Sequence, residues 1–285
     1  MQLESGWGGR RVERGTRMIE IVEHGAVREL RLARPPANAL SPDLIAAISA
    51  ALADAAVAAG GAGAPARQGA ERLAGLVLSG APGMFSAGLD VPHLLTLDRD
   101  GIRALWSGFY ALLRGIAASP LPVVAAITGH SPAGGAVLAL YCDLRVMAEG
   151  DFRIGLNEVR VGLPMPPVIL AAMRRLVGPR LAERMCVSGA LVSPAEAARV
   201  GLVDEVVPSE RVVERAVAMA AELAALPGAA MAATRRLARA DLVAMFDAAG
   251  AEMESVLDSW FSAEAQATMR ALVERLARKR AAAGG

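Results

Sequence analysis

The sequence predicts an α/β protein, a sheet covered by helices, followed by an all-helical C-terminal region. Two observations predict it. Between residues 18 and 205, short apolar runs end in glycine-rich turns and give way to helical periodicity, so strands alternate with helices. From about residue 208 onward only helical patterns remain. With 285 residues, 54% of them hydrophobic and 21% charged, the chain can bury a sizeable core.

In chain order, "MIEIVEHGAVRELRL" (18–32) alternates apolar and polar residues about His24-Gly25 and predicts a β-hairpin. "RPPANAL" turns the chain, and Ser41 with Pro42 opens a helix to about Ala58, since proline suits a first helical turn. A Gly/Ala-rich loop (60–69) leads to the short buried strand "LAGLVLSG". The glycine-punctuated "GAPGMFSAGLD" is followed by a helix at about 99–118 and the strand "LPVVAAITG". In "HSPAGGAVLALYCD" (130–143) the apolar run predicts a helix opening near Pro132, and "DLRVMAEG" and "DFRIGL" predict further strands. The expected limits are a disordered extension over 1–17, an α/β core over 18–205 and a helical region over 206–285. Helices with apolar faces and no sheet to cover pack on one another or on a neighbouring subunit.

Composition excludes several function classes. The net charge of +1 leaves no basic excess for nucleic acid or an anionic membrane. No apolar run approaches the roughly 20 residues of a membrane span, and residues 1–17 lack the apolar segment of a secretory signal. Cys142 and Cys186 sit in apolar contexts without metal-ligand spacing, as expected of buried thiols in a cytoplasmic protein.

Two glycine turns carry the chemistry. Gly134 and Gly135 fall in a first helical turn, where backbone N–H groups lack intrahelical partners. Glycine is a poor helix former, but it lets an oxyanion approach bare backbone. "FSAGLD" (85–90) provides a second such turn, in which Gly88 and Leu89 can present another free N–H. Taken by itself, either turn is better explained by tight packing and turn dihedrals alone. Neither has the lysine of a nucleotide-binding P-loop, and there is no G-x-S-x-G elbow.

Together "FSAGLD", "SPAGGAVLALYCD" and "RIGLNEVRVGLP", in this order and spacing, resemble the crotonase (enoyl-CoA hydratase/isomerase) superfamily. The resemblance runs from about Met18 through "SPAEAARVGLVDEVV" into the helical tail. It implies a spiral of ββα units with a C-terminal helical region that assembles trimers or hexamers. It also implies an oxyanion hole at the amides of Leu89 and Gly134, flanked by Gly88 and Gly135, for the thioester carbonyl of an acyl-CoA. The adenine of CoA would lie by the backbone of Ala37 and Ala87.

Members of the family differ in the carboxylates around that hole. Hydratases resemble one another in having two glutamates. The first position is Val137 here, and a valine neither holds a water nor gives a proton. The second is Glu158, amid Ile154, Leu156 and Val159. Taken alone, Glu158 reads as a surface loop residue; the resemblance makes it a partly desolvated base. A single base beside an oxyanion hole suits allylic proton transfer, and the pattern looks most like the Δ3,Δ2-enoyl-CoA isomerases of the mitochondrial type. No metal or redox cofactor is implied beyond the CoA of the substrate. Hydration or thioester hydrolysis, and non-catalytic acyl-CoA binding, remain the alternatives.

Other residues carry less. Leu163 and Pro164 are expected at the pocket floor, and Trp106, Phe109 and Tyr110 serve either an acyl pocket or the core. His93 reads as a rim residue, Asp90 as a brace for the glycine turn, and Asp143 as a backbone acceptor. His130 and Ser131 lack a third partner for nucleophilic catalysis. The basic residue that the family often places before Phe85 is replaced by Met84, which leaves Arg34 or the tail residues Arg278, Lys279 and Arg280 for the CoA phosphates.

Overall fold

The computed structural model describes residues 10–12, 18–60 and 72–283. Strand β1 (Arg10–Val12) pairs antiparallel with β2 (Ile19–His24), which forms the predicted hairpin with β3 (Val27–Leu32). Within the extension expected to lack order, residues 10–12 are therefore a strand; the rest of it, like 61–69 of the Gly/Ala-rich loop and the two residues after it, lies outside the described residues. Helix α1 (Pro42–Ala58) begins where Ser41 Oγ accepts the Leu44 amide at 3.3 Å.

Three passes of strand, short strand and helix follow. The first is β4 (Gly75–Ser79), β5 (Gly83–Met84), α2 (Val91–Leu94) and α3 (Arg99–Ala118); the second is β6 (Val123–Ile127), β7 (Gly129–Pro132) and α4 (Gly134–Leu140); the third is β8 (Leu144–Ala148), β9 (Ile154–Gly155) and α5 (Pro167–Val177). Helices α6 (Pro179–Ser188) and α7 (Pro194–Arg199) lead to β10 (Glu205–Val207). The larger sheet has the order β1-β2-β3-β4-β6-β8-β10, parallel from β3 onward, and the smaller is β5-β7-β9. Each pass thus gives one strand to each sheet before a helix, the spiral of ββα units that the resemblance implied.

The central strands are apolar on both faces because both are covered. Leu76, Leu78, Val123, Ala125 and Ile127 enter the main core, while Val77, Val124 and Ala126 pack against Val212, Ala216 and Ala220 of α8 (Val212–Ala224). Helix α8 therefore covers sheet, unlike the expectation for helices beyond 206. Helices α9 (Gly228–Ala238), α10 (Ala240–Trp260) and α11 (Ala263–Ala283) complete the described chain, α10 packing on α3 and α5.

Three local expectations are corrected. The helix read from Pro132 starts at Gly134, because Ser131 and Pro132 pair with β9 in the smaller sheet and Ala133, whose amide donates to the Gly155 carbonyl, is the turn residue before the helix. The strand read from "DFRIGL" contracts to Ile154–Gly155. Helices α5, α6 and α7 lie where the sequence suggested no element: Pro167, Pro179 and Pro194 look like breakers, yet each sits in a first turn, where proline's missing N–H costs nothing.

Candidate active site

The two glycine turns meet. A Cβ placed on Gly134 would stand 3.2 Å from Gly88 Cα and 3.3 Å from the Leu89 nitrogen, and one on Gly88 would stand 3.0 Å from the Gly134 nitrogen. A Cβ on Gly135 would lie 2.4 Å from the Ser86 carbonyl oxygen, so no side chain fits there. Turn-to-turn packing thus explains the glycines, and that packing brings the Leu89 and Gly134 amides side by side. Neither amide donates to an acceptor among the described residues. Ala133, just before Gly134, is held at φ 48°, a conformation that non-glycine residues adopt only when their surroundings impose it.

Residues not singled out from the sequence lock this arrangement. Asn38, at φ 48°, accepts the Arg34 amide through Oδ1 at 2.9 Å and donates from Nδ2 to the Phe85 carbonyl at 3.1 Å. Ser86 Oγ donates to the Asn38 carbonyl at 2.7 Å and accepts the Gly88 amide at 3.2 Å. The Ala87 amide donates to the Ala37 carbonyl at 2.9 Å, so the two residues named for the adenine are neighbours. The available signal was Asn38 in "PPANA", since asparagine tolerates positive φ better than most residues.

Arg34 is committed to this scaffold. Its Nη2 donates to Asp90 Oδ2 at 2.5 Å and its Nη1 to the Ala39 carbonyl at 3.0 Å, while Asp90 Oδ1 caps α2 at the His93 amide. Asp90 is thus a brace, and Arg34 is bound to it. Arg278 pairs with Glu274 in the tail helix, and the side chains of Lys279 and Arg280 lie outside the described residues. His130 pairs across from Met84 and accepts the Arg153 amide; Ser131 Oγ is buried without a partner among the described residues.

Glu158 opens a 3₁₀ turn three residues after Gly155, whose carbonyl accepts the Ala133 amide, so its segment is tied directly to the Gly134 turn. Ile154 and Leu156 are buried beside it, but Val159 is exposed. The residue as a whole is partly exposed, yet its Oε2 is buried with no hydrogen-bond partner among the described residues. Burial pushes its carboxyl up to about 7, against only a small opposing pull from its own backbone. Cys186 of α6 is near enough that its thiol, raised first by burial, is raised further by the Glu158 charge to about 11. Val137 is buried one turn beyond Gly134.

Leu163, whose amide donates to the Glu158 carbonyl at 3.2 Å, and Pro164 line a cavity of about 340 Å³ between α3 and α10. Trp106 forms part of its wall, stacking edge-to-face with Phe109 and Tyr110, which lie in the core. Asp143 accepts the Val123 amide as expected, and it also binds Arg235 and Arg239, which the sequence did not suggest.

An adjacent pair of backbone amides without acceptors among the described residues is thus tied through one strand to the segment that carries a buried, unpartnered carboxyl oxygen. Residues 23–280 match the sequence model of the enoyl-CoA hydratase/isomerase family, and the chain belongs to that family. It is 33% identical over 234 residues to mouse enoyl-CoA delta isomerase 1, mitochondrial, covering 81% of this chain and 77% of that protein. A probable enoyl-CoA hydratase of Mycobacterium avium is 32% identical over 223 residues, covering 78% and 80%. The crystal structure of human mitochondrial delta3-delta2-enoyl-CoA isomerase superposes with a TM-score of 0.84 at 28% identity, covering 92% of this chain and 99% of that one.

Proposed function

We propose that the protein isomerises 3-enoyl-CoA to 2-trans-enoyl-CoA, using Glu158 as the only acid–base group. The observation that carries this reading is the buried, unpartnered Glu158 carboxyl with its proton affinity raised to about 7. A group poised near neutrality can both accept and return a proton. The thioester oxygen sits at the Leu89 and Gly134 amides, which stabilise the dienolate by roughly 3 to 4 kcal/mol each, by analogy with measured oxyanion holes. Glu158 removes a proton from C2 and, once protonated, delivers it to C4. Electrons shift from the C3–C4 double bond to C2–C3, and the base is regenerated.

Buried Val137 favours isomerisation over hydration, which needs a second group to hold and activate water. The Ala37 and Ala87 backbone takes the adenine of CoA, and no cofactor beyond the substrate's CoA takes part. The helical tail assembles trimers or hexamers. Support for assembly comes from α9, which has no buried residue, and from Leu226 and Leu237, which are 49% and 74% exposed.

The test is to mix the protein with 3-hexenoyl-CoA and follow absorbance of the conjugated 2-enoyl thioester. Glu158→Gln is expected to lower the rate by about 10² to 10⁴. Absence of conjugation by the wild type, with CoA thioester still bound, overturns the reading, and formation of the 3-hydroxyacyl or hydrolysed product would identify the alternative enzyme.

A further inference from the structure

The cavity lined by Leu163, whose amide donates to the Glu158 carbonyl, is two-sided. Trp106, whose indole Nε1 has no partner among the described residues, and Leu163 with Pro164 lie on one side, whereas Glu252, Ser255 and Ser259, with Val256 among them on one stripe of α10, give the other side its polar groups. Glu252 stands apart from the other acids of this helix. Asp241 pairs with Arg175, Asp247 with Arg114, Glu254 with Arg99 and Arg103, and Asp258 with Arg99. Glu252 has no basic partner and accepts no hydrogen bond among the described residues, although it is half-buried. Its charge reaches Tyr110, whose phenol is raised first by burial and then by Glu252. Ser259 Oγ donates to the Ser255 carbonyl and keeps its lone pairs free, while Ser255 Oγ makes no hydrogen bond among the described residues. An unpaired acceptor next to two hydroxyls on a wall facing an indole and aliphatic carbons is matched by an alkyl chain with a hydroxyl, which can donate to the carboxylate and accept from a serine.

We propose that the acyl tail of the substrate enters this cavity and that Glu252 selects acyl groups carrying a hydroxyl beyond the reacting carbons. The inference rests on the acyl-CoA reading above and narrows its substrate to hydroxylated enoyl chains. A hydrogen bond to a charged acceptor is worth on the order of 10-fold or more in affinity, and a site built around it disfavours the chain that lacks it.

Binding of non-reacting saturated analogues tests this without relying on turnover. Titration calorimetry would compare hexanoyl-CoA with 6-hydroxyhexanoyl-CoA, and octanoyl-CoA with 8-hydroxyoctanoyl-CoA, on wild type, Glu252→Leu and Glu252→Gln. The expected result is that the hydroxyl-to-alkyl affinity ratio at one chain length falls about 10-fold in Glu252→Leu and less in Glu252→Gln. A ratio unchanged by both substitutions, or failure of all four analogues to bind, overturns the proposal. Should the leucine variant not fold, the glutamine variant alone decides by the same ratio. Parallel turnover of 3-hexenoyl-CoA separates the two readings: conjugation with an unmoved ratio removes only the hydroxyl preference, and a moved ratio without conjugation removes only the isomerase.

Discussion

Gly88 and Gly134 lie back to back: a Cβ on Gly88 would reach within 3.0 Å of the Gly134 nitrogen, and Gly88 itself sits at φ 86°. Substitution there strains the backbone and pushes the two amides apart. On the proposed isomerase reading, Gly88→Ala is expected to lower kcat by about 10² or more, the cost of losing one oxyanion donor, with a smaller change in KM. Steady-state kinetics on 3-hexenoyl-CoA, with circular dichroism to verify folding, checks it.

Glu158 predicts two opposite pH effects. In the proposed isomerisation Glu158 must be ionised to take a proton, so kcat/KM should rise as pH increases through about 7. Stability should move the other way: the folded carboxyl binds its proton more tightly than the unfolded one at 4.5, so the proton's stabilising contribution is complete below 4.5 and lost as pH rises through about 7. Glu158→Gln should therefore gain on wild type between pH 5 and pH 8 by up to about 3 kcal/mol, read from urea unfolding at both pH values.

Asn38 supports the first turn through both ends of its amide. Asn38→Ala should destabilise by about 1 to 3 kcal/mol through the unsatisfied groups it leaves, plus the strain of alanine at φ 48°. Asn38→Gly should relieve the strain but not restore the bonds. Differential scanning calorimetry should rank wild type above the glycine variant and the glycine variant above alanine, and both variants should turn over more slowly.

Asp143 is the anionic centre that ties the helical tail to the α/β core. Arg235 donates to it and to the Ile116 and Ser119 carbonyls that end α3, while Arg239 donates to it and to the Tyr141 and Cys142 carbonyls that end α4. Both guanidiniums are nearly buried, at 9% and 12% exposure. Asp143→Ala leaves two buried cations without their counter-charge, and a loss of about 3 to 5 kcal/mol is expected. Equilibrium unfolding in guanidinium chloride measures it; a loss below 1 kcal/mol would mean that the arginines find other acceptors.

The alternation of strands and helices, the helical tail and the glycine turns were legible in the sequence, because hydrophobic period and turn residues are local signals, whereas Glu158 stood out only through the family resemblance. Folding alone brings Gly135 onto Ser86, Asn38 to the turn it braces, and α8 onto the sheet. The short strands β5 and β9 are of the same kind: two residues carry no period, and they become strands through pairing with β7. The pairing of Asp143 with Arg235 and Arg239 spans 92 and 96 residues of chain. The physical reason is common to all of these: such contacts join segments far apart in sequence, and their energy comes from close packing and desolvation that exist only once the chain has brought the partners together.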